Sequence, residues 1–243
     1  MKLAIPALLA LALSLPGCLS EIGIGASNDG PKDFLTSNDY TSWTWEIDTN
    51  TDNPPSSVLS FAKQRMTGLV NKPNGITVSL DDRDLPERNT WTRSQLDELH
   101  REYQDKKPKG DELTTHVLWL GGQYTDPETI GLAVGHQYIA IFADHTITGC
   151  QNSLSCTDPN RVLEIVLTHE FGHIIGLVNN GIPMVTNHEH ADAPGHSDNQ
   201  NSIMWPAADT RTIFDLVSPL GGGVPDDFDA NDRKDVCSYG GKC

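Results

Sequence analysis

The first periodic stretch of the chain, TSWTWEID (41–48), alternates apolar and polar residues and predicts a strand. NPPSS punctuates it. SSVLSFAKQRMTGLV (56–70) then sets Val58, Phe61, Met66 and Val70 at helical spacing behind a serine cap. GITVSLDD (75–82) predicts a second strand. TRSQLDELHREYQ (92–104) predicts an amphipathic helix with Leu96, Leu99 and Tyr103 on one side. THVLWLGGQY (115–124) and IGLAVGHQYIAIFAD (130–144) supply two or three further strands, and 145–157 reads as a loop. Asp158 is a good N-cap and Pro159 suits a first helical turn. From Arg161 to Leu177 the chain is apolar on most sides, which predicts a buried central helix with Gly176 as its stop. The remainder is loop-rich, with a last short helix over 226–236. There is no internal repeat and no heptad. The order predicts an α+β fold: a mixed sheet with helices in an upper lobe (40–177), an irregular lower lobe (178–243), and a cleft between them.

Composition changes the picture at the N-terminus. In MKLAIPALLALALSLPGC one lysine precedes a short apolar run and small residues, so residues 1–17 read as a secretory signal rather than a spanning helix. Its end resembles a bacterial lipobox, with Leu15 and Gly17 before Cys18. That resemblance implies lipidation of Cys18, an exported protein and an envelope anchor. Leu19 stands where an Asp resembles an inner-membrane retention signal, which favours the outer membrane or cell surface. Residues 18–39 are small and polar and read as a flexible tether before a domain over 40–243.

Setting Cys18 aside leaves Cys150, Cys156, Cys237 and Cys243. An even number in an exported chain suggests disulfides, and pairing neighbours (150 with 156, 237 with 243) closes the least costly loops. A four-cysteine zinc site is a poorer reading, because neither gap matches zinc-ribbon spacing. The formal charge of −16 argues against nucleic acid and anionic headgroups as partners. PDDFDANDRKD (225–235) offers carboxylates for a structural Ca2+, but without EF-hand spacing; a solvated helix face is the simpler reading.

The chemistry lies in THEFGHIIGLVNN (168–180). His169, Glu170 and His173 spell H-E-x-x-H. On a helix the two histidines are separated by about 40° around the axis and about 6 Å along it, so both reach one cation. Glu170 is then placed to take a proton from a water that zinc has acidified. A hydrolytic zinc usually takes three protein ligands. Three residues after Gly176, where the commonest extension of the motif puts the third, stands Asn179, a poor zinc ligand. Further on, HSDNQNSIMWP (196–206) carries His196 eight residues before Met204.

These two blocks resemble the metzincin zinc endopeptidases, which carry H-E-x-x-H-x-x-G-x-x-H and a methionine in a tight turn. The matrixin-like branch is most similar: there the third histidine precedes a serine and a Met-aromatic-Pro turn follows. The His–Met spacing is also similar to archaemetzincin-like proteins, which have cysteines at the positions of Ser197 and Ser202. The likeness is specific over 166–206 and looser over 40–144. It implies one catalytic Zn2+ held by His169, His173 and His196, with the third histidine displaced 17 residues by an insertion. It implies Glu170 as general base and acid, Met204 as the Met-turn residue, and Trp205, Pro206 and Ala207 along a substrate pocket. It also implies an antiparallel edge strand that binds substrate, for which 130–138 is the candidate. Pro206 stands where some branches have a tyrosine, so tyrosine-assisted oxyanion stabilisation is not expected, nor is a cysteine latency switch. His188 and His190 inside the insertion compete with His196 for the metal. Glu189 is a weaker competitor, since TNHEHADAPG lacks a helical pattern.

The expected function is a monomeric, lipid-anchored zinc metalloendopeptidase acting on polypeptides. The alternative is a non-catalytic zinc-binding envelope lipoprotein.

Overall fold

The computed structural model describes residues 30–81, 85–217 and 223–243; the signal segment, Cys18 and most of the predicted tether lie outside these. Strand β1 (Ser42–Thr49) forms where the alternation predicts it, but both of its faces are buried. The reason is its place in a five-stranded sheet of order β2–β1–β4–β7–β6. β2 (Ile76–Leu80), β4 (Glu112–Leu120) and β7 (Tyr138–Phe142) run parallel with β1, and β6 (Gly131–Val134) closes one edge antiparallel to β7. The edge strand predicted within 130–138 is therefore present, in the expected orientation. Gly121 and Gly122 break the run predicted over 115–124. Beyond them β5 (Gln123–Tyr124) pairs with β3 (Thr90–Trp91) in a separate ribbon.

The apolar positions of β1 face one helical layer. Trp45 stacks on Phe171 of α5 (Pro159–Ile174) at 3.9 Å between ring centroids, and Trp43 meets the same ring edge-on. Helix α2 (Ser56–Thr67) packs beside α5. The polar positions of β1 face the segment that follows α3 (Arg93–Tyr103) and the neighbouring strand β4. Glu46 accepts hydrogen bonds from the Asp105 and Lys106 amides. Asp48 pairs with the buried His116 at 2.7 Å. Polar alternation thus marks a second buried layer here, held by hydrogen bonds to Glu46 and Asp48, and no solvated face.

Three expectations need correction. The tether does not extend to residue 39. Helix α1 (Pro31–Leu35) buries Phe34 and Leu35, and Phe34 packs on Trp43. The buried Lys72 fastens this segment by donating to the carbonyls of Asp33, Thr36 and Tyr40. The predicted loop over 145–157 begins as a helix, α4 (Ala143–Asn152). Its buried face is Ala143, Thr146, Gly149 and Cys150, small side chains that leave no hydrophobic stripe to read. Gly149 is required there, because a Cβ would lie 2.6 Å from the Phe214 ring. Finally, the acidic stretch near the C-terminus is no solvated face and gives calcium no support. Asp229 caps α6 (Ala230–Ser238), while Asp232 and Asp235 are buried against His188.

Both local disulfides, Cys150–Cys156 and Cys237–Cys243, are formed. Among the described residues no helix is long and apolar enough to cross a membrane.

Candidate metal centre

Helix α5 starts on the Asp158 side chain, which accepts from the Asn160 and Arg161 amides. It ends in a Schellman arrangement. Gly176 takes φ 85°, its amide reaches the His173 carbonyl, and the Leu177 amide reaches the Gly172 carbonyl. Val178 and Asn179 follow, both in the left-handed region at φ 53° and 60°. Such residues cost on the order of 1–3 kcal/mol each, and they turn the chain away, leaving Asn179 exposed.

The excursion is ordered where it returns. Glu189 and Ser197 form an antiparallel bridge, the His190 amide donates to the His196 carbonyl at 2.7 Å, and the Asp198 amide donates to the His188 carbonyl at 2.8 Å. The Ser197 amide donates to the Met204 carbonyl at 2.8 Å, tying this segment to the methionine turn. His196 is thereby carried back to α5. One nitrogen each of His169, His173 and His196 lies within 4.8 Å of the others.

The tautomers suit a metal. Nδ1 of His169 donates to the Ile203 carbonyl at 2.7 Å, and Nδ1 of His196 to the Pro194 carbonyl at 3.2 Å. Both leave Nε2 with its lone pair directed into the group. Nε2 of His169 and of His173 are 3.0 Å apart. All three rings are at most 2 % exposed. Burial lowers the His169 pKa to about 4 and holds His173 well below its ordinary value, keeping both in the neutral, ligating form. For His196 desolvation opposes charge, but the Asp209 carboxylate and the Pro194 and Ala193 backbone outweigh it, so its pKa is raised.

Glu170 is fully buried, and desolvation, then the Asp209 charge, push its carboxyl well above the usual range. Its two oxygens and His196 Nε2 make no hydrogen bond within 3.5 Å of good geometry, the Ala133 backbone and the Asp209 carboxylate being their nearest polar neighbours. Buried polar atoms left in this way call for a missing partner. Three imidazoles with a carboxylate alongside are the donor set of a zinc site, so the residues present fit the ion.

Met204 is buried with its sulfur against Gly172, where a Cβ would lie 2.2 Å away. Trp205 and Pro206 are half-buried and Ala207 is buried. His188 is elsewhere: it is buried, with Nε2 3.3 Å from Asp232 and 3.7 Å from Asp235. The hydrogen bond to Asp232 raises its pKa to about 9. His190 accepts from the Asp192 amide through Nδ1, and neither it nor His188 joins the three-histidine group.

Sequence reasoning missed two residues. Asp209, at the end of a 3-10 turn (Pro206–Asp209), brings a buried carboxylate to 3.6 Å from His196 Nε2, and no motif marks it. Gly131 lets β6 close on the site. A Cβ there would stand 2.6 Å from both Glu170 Oε1 and Val166 Cγ1. A glycine opening a strand was its one available signal. Gly131→Ala is expected to displace the Glu170 carboxylate. Peptide cleavage should fall at least about 10-fold, as misplaced catalytic groups do, while zinc affinity by chelator competition stays near wild type.

No protein-family model matches the chain, and no curated protein sequence matches it. Among solved structures it is similar to archaemetzincin from Methanopyrus kandleri, with a TM-score of 0.52 and 14 % identity over 82 % of this chain and 96 % of that one. It is also similar to metalloproteinase-II from Bacteroides fragilis, with a TM-score of 0.47 and 13 % identity over 84 % of this chain and 55 % of that one. The likeness to archaemetzincin, with the mostly parallel sheet and its antiparallel edge, shows that the chain has a metzincin-like fold.

Proposed function

We propose that the protein is a zinc-dependent endopeptidase. The observation that carries this reading is the convergence of His169, His173 and His196 beside a buried carboxylate, Glu170. The three Nε2 atoms would hold the ion. When bound, zinc supplies Lewis acidity, which acidifies water and polarises a carbonyl. Glu170, one residue along α5 from His169, takes the proton of the attacking water and returns it to the departing amine. The Ile203 and Pro194 carbonyls orient the first and third histidines.

The substrate in this reading is an extended polypeptide. Strand β6 lies at the sheet edge, and its Gly131 lies against Glu170. A peptide added antiparallel to that edge would run past the carboxylate. In this reading Cys18, at the end of the lipobox-like LPGC, carries a lipid anchor in the cell envelope, and Trp205, Pro206 and Ala207 wall the substrate pocket.

The test is metal analysis with a casein cleavage assay, with and without chelator. The expected result is zinc at the stoichiometry of a single site and cleavage abolished by chelator and restored by zinc. Zinc bound tightly without any cleavage would refute the peptidase and support the non-catalytic lipoprotein.

A further inference from the structure

The second histidine lacks the carbonyl partner that orients the other two. Nδ1 of His169 donates to Ile203, and Nδ1 of His196 to Pro194. Nδ1 of His173 faces a side chain instead, with Nδ2 of Asn180 at 3.4 Å. Nε2 of the same ring points into the group, 3.0 Å from Nε2 of His169. A neutral imidazole that ligates through Nε2 has its single proton on Nδ1, and that proton needs an acceptor. The two ends of an Asn amide have nearly the same shape. A half-turn about χ2 therefore brings Oδ1 to face the proton without moving the backbone.

The position of Asn180 is built by the turn that leaves α5. The Ile182 amide donates to the Gly176 carbonyl at 3.0 Å, and the Asn180 amide to the Leu177 carbonyl at 3.3 Å, closing the turn on itself. Val178, which is buried, and Asn179 hold it in the left-handed region although neither is glycine. Pro31 of α1 wedges against both ends. A Cβ on Gly176 would lie 2.7 Å from its Cγ, and one on Gly181 2.6 Å. Lys72 in turn fastens the segment that carries Pro31. Strain of this kind persists only where the surroundings over-determine it. Here it brings residue 180 back against the His173 ring.

We propose that Asn180 is the positioning residue of His173: its amide oxygen accepts the Nδ1 proton and fixes the ring with Nε2 toward the metal. The inference deepens the three-histidine reading and rests on it. The excursion then serves the metal centre at both ends, orienting the second histidine where it leaves and supplying the third where it returns.

Full-length wild type, Asn180→Ala and Asn180→Asp are compared at neutral pH in two measurements. One is zinc affinity by competition with a chelator. The other is the imidazole N–H proton resonances of the zinc-loaded protein. The wild type should bind zinc, and Asn180→Ala should bind it at least about 10-fold more weakly, the low end for a lost outer partner. Asn180→Asp, whose carboxylate can only accept, should bind zinc at least as tightly as the wild type. The His173 Nδ1 proton should resonate upfield in Asn180→Ala and downfield in Asn180→Asp. Unchanged affinity in Asn180→Ala overturns the proposal and leaves the three histidines standing. So does an Asn180→Asp protein as weak as Asn180→Ala, because the amide would then act through Nδ2. A weaker Asn180→Ala with the resonance in place reduces Asn180 to a prop of the turn and overturns it as well. A wild type that binds no zinc overturns both readings. If Asn180→Ala does not fold, the wild type and Asn180→Asp decide: a resonance that does not move between them overturns the proposal.

Discussion

Glu170→Ala protein is expected to bind zinc as the wild type does and to cleave peptide at a rate lower by about 10²–10⁴, the usual contribution of a positioned general base. The separation follows from the geometry. Glu170 stands outside the three-histidine group and lies instead against Gly131 of the edge strand. The variant should remain folded, because it removes a fully buried carboxyl whose charged form burial disfavours. Thermal melts then distinguish loss of chemistry from loss of fold. Peptide cleavage at wild-type rate in this variant would sink the proposed role of Glu170.

The parts of this site that lie within one helix are legible in the amino-acid sequence. Helical period alone puts His169 above His173, and Gly176 announces its own left-handed turn. The strands of the sheet are legible too, because Trp43, Trp45 and Ile47 alternate with polar residues. Two kinds of feature are not. The first is burial without large apolar side chains, as in α4, where Ala, Thr, Gly and Cys make the inner face. The second is contact across long separations. Asp209 reaches the site only because its turn pairs with Ile130, and Gly131 matters only because Glu170 lies against it. Neither pairing leaves a local period. The polar positions of β1 mislead for the same reason: Glu46 and Asp48 look solvent-facing until Asp105, Lys106 and His116 arrive from distant segments.

The excursion between Gly176 and His196 offers the strongest contrast between two histidines of similar appearance. His196→Ala is expected to cost more zinc affinity than the 10–100-fold typical of outer partners, since it removes one of three converging nitrogens. His188→Ala is expected to retain zinc and lose stability instead, by about 2–3 kcal/mol at neutral pH. It leaves Asp232 and Asp235 buried without their cation, although Asp232 keeps its bonds from the Ser202 hydroxyl and the Asp229 amide. The pH dependence gives this loss a sign. His188 has a folded pKa of about 9, raised above its unfolded value by the Asp232 hydrogen bond. Its stabilisation is therefore complete below the unfolded value, near about 6.5, and is lost as pH rises through about 9. Wild-type melting temperature should fall over that window, and His188→Ala, lacking the group, should not show the fall. Because Asp232 also holds Ser202, whose hydroxyl accepts the Met204 amide, the same substitution should loosen the methionine turn without emptying the metal site. A His188→Ala protein that lost its zinc while His196→Ala kept it would move the third ligand into the excursion.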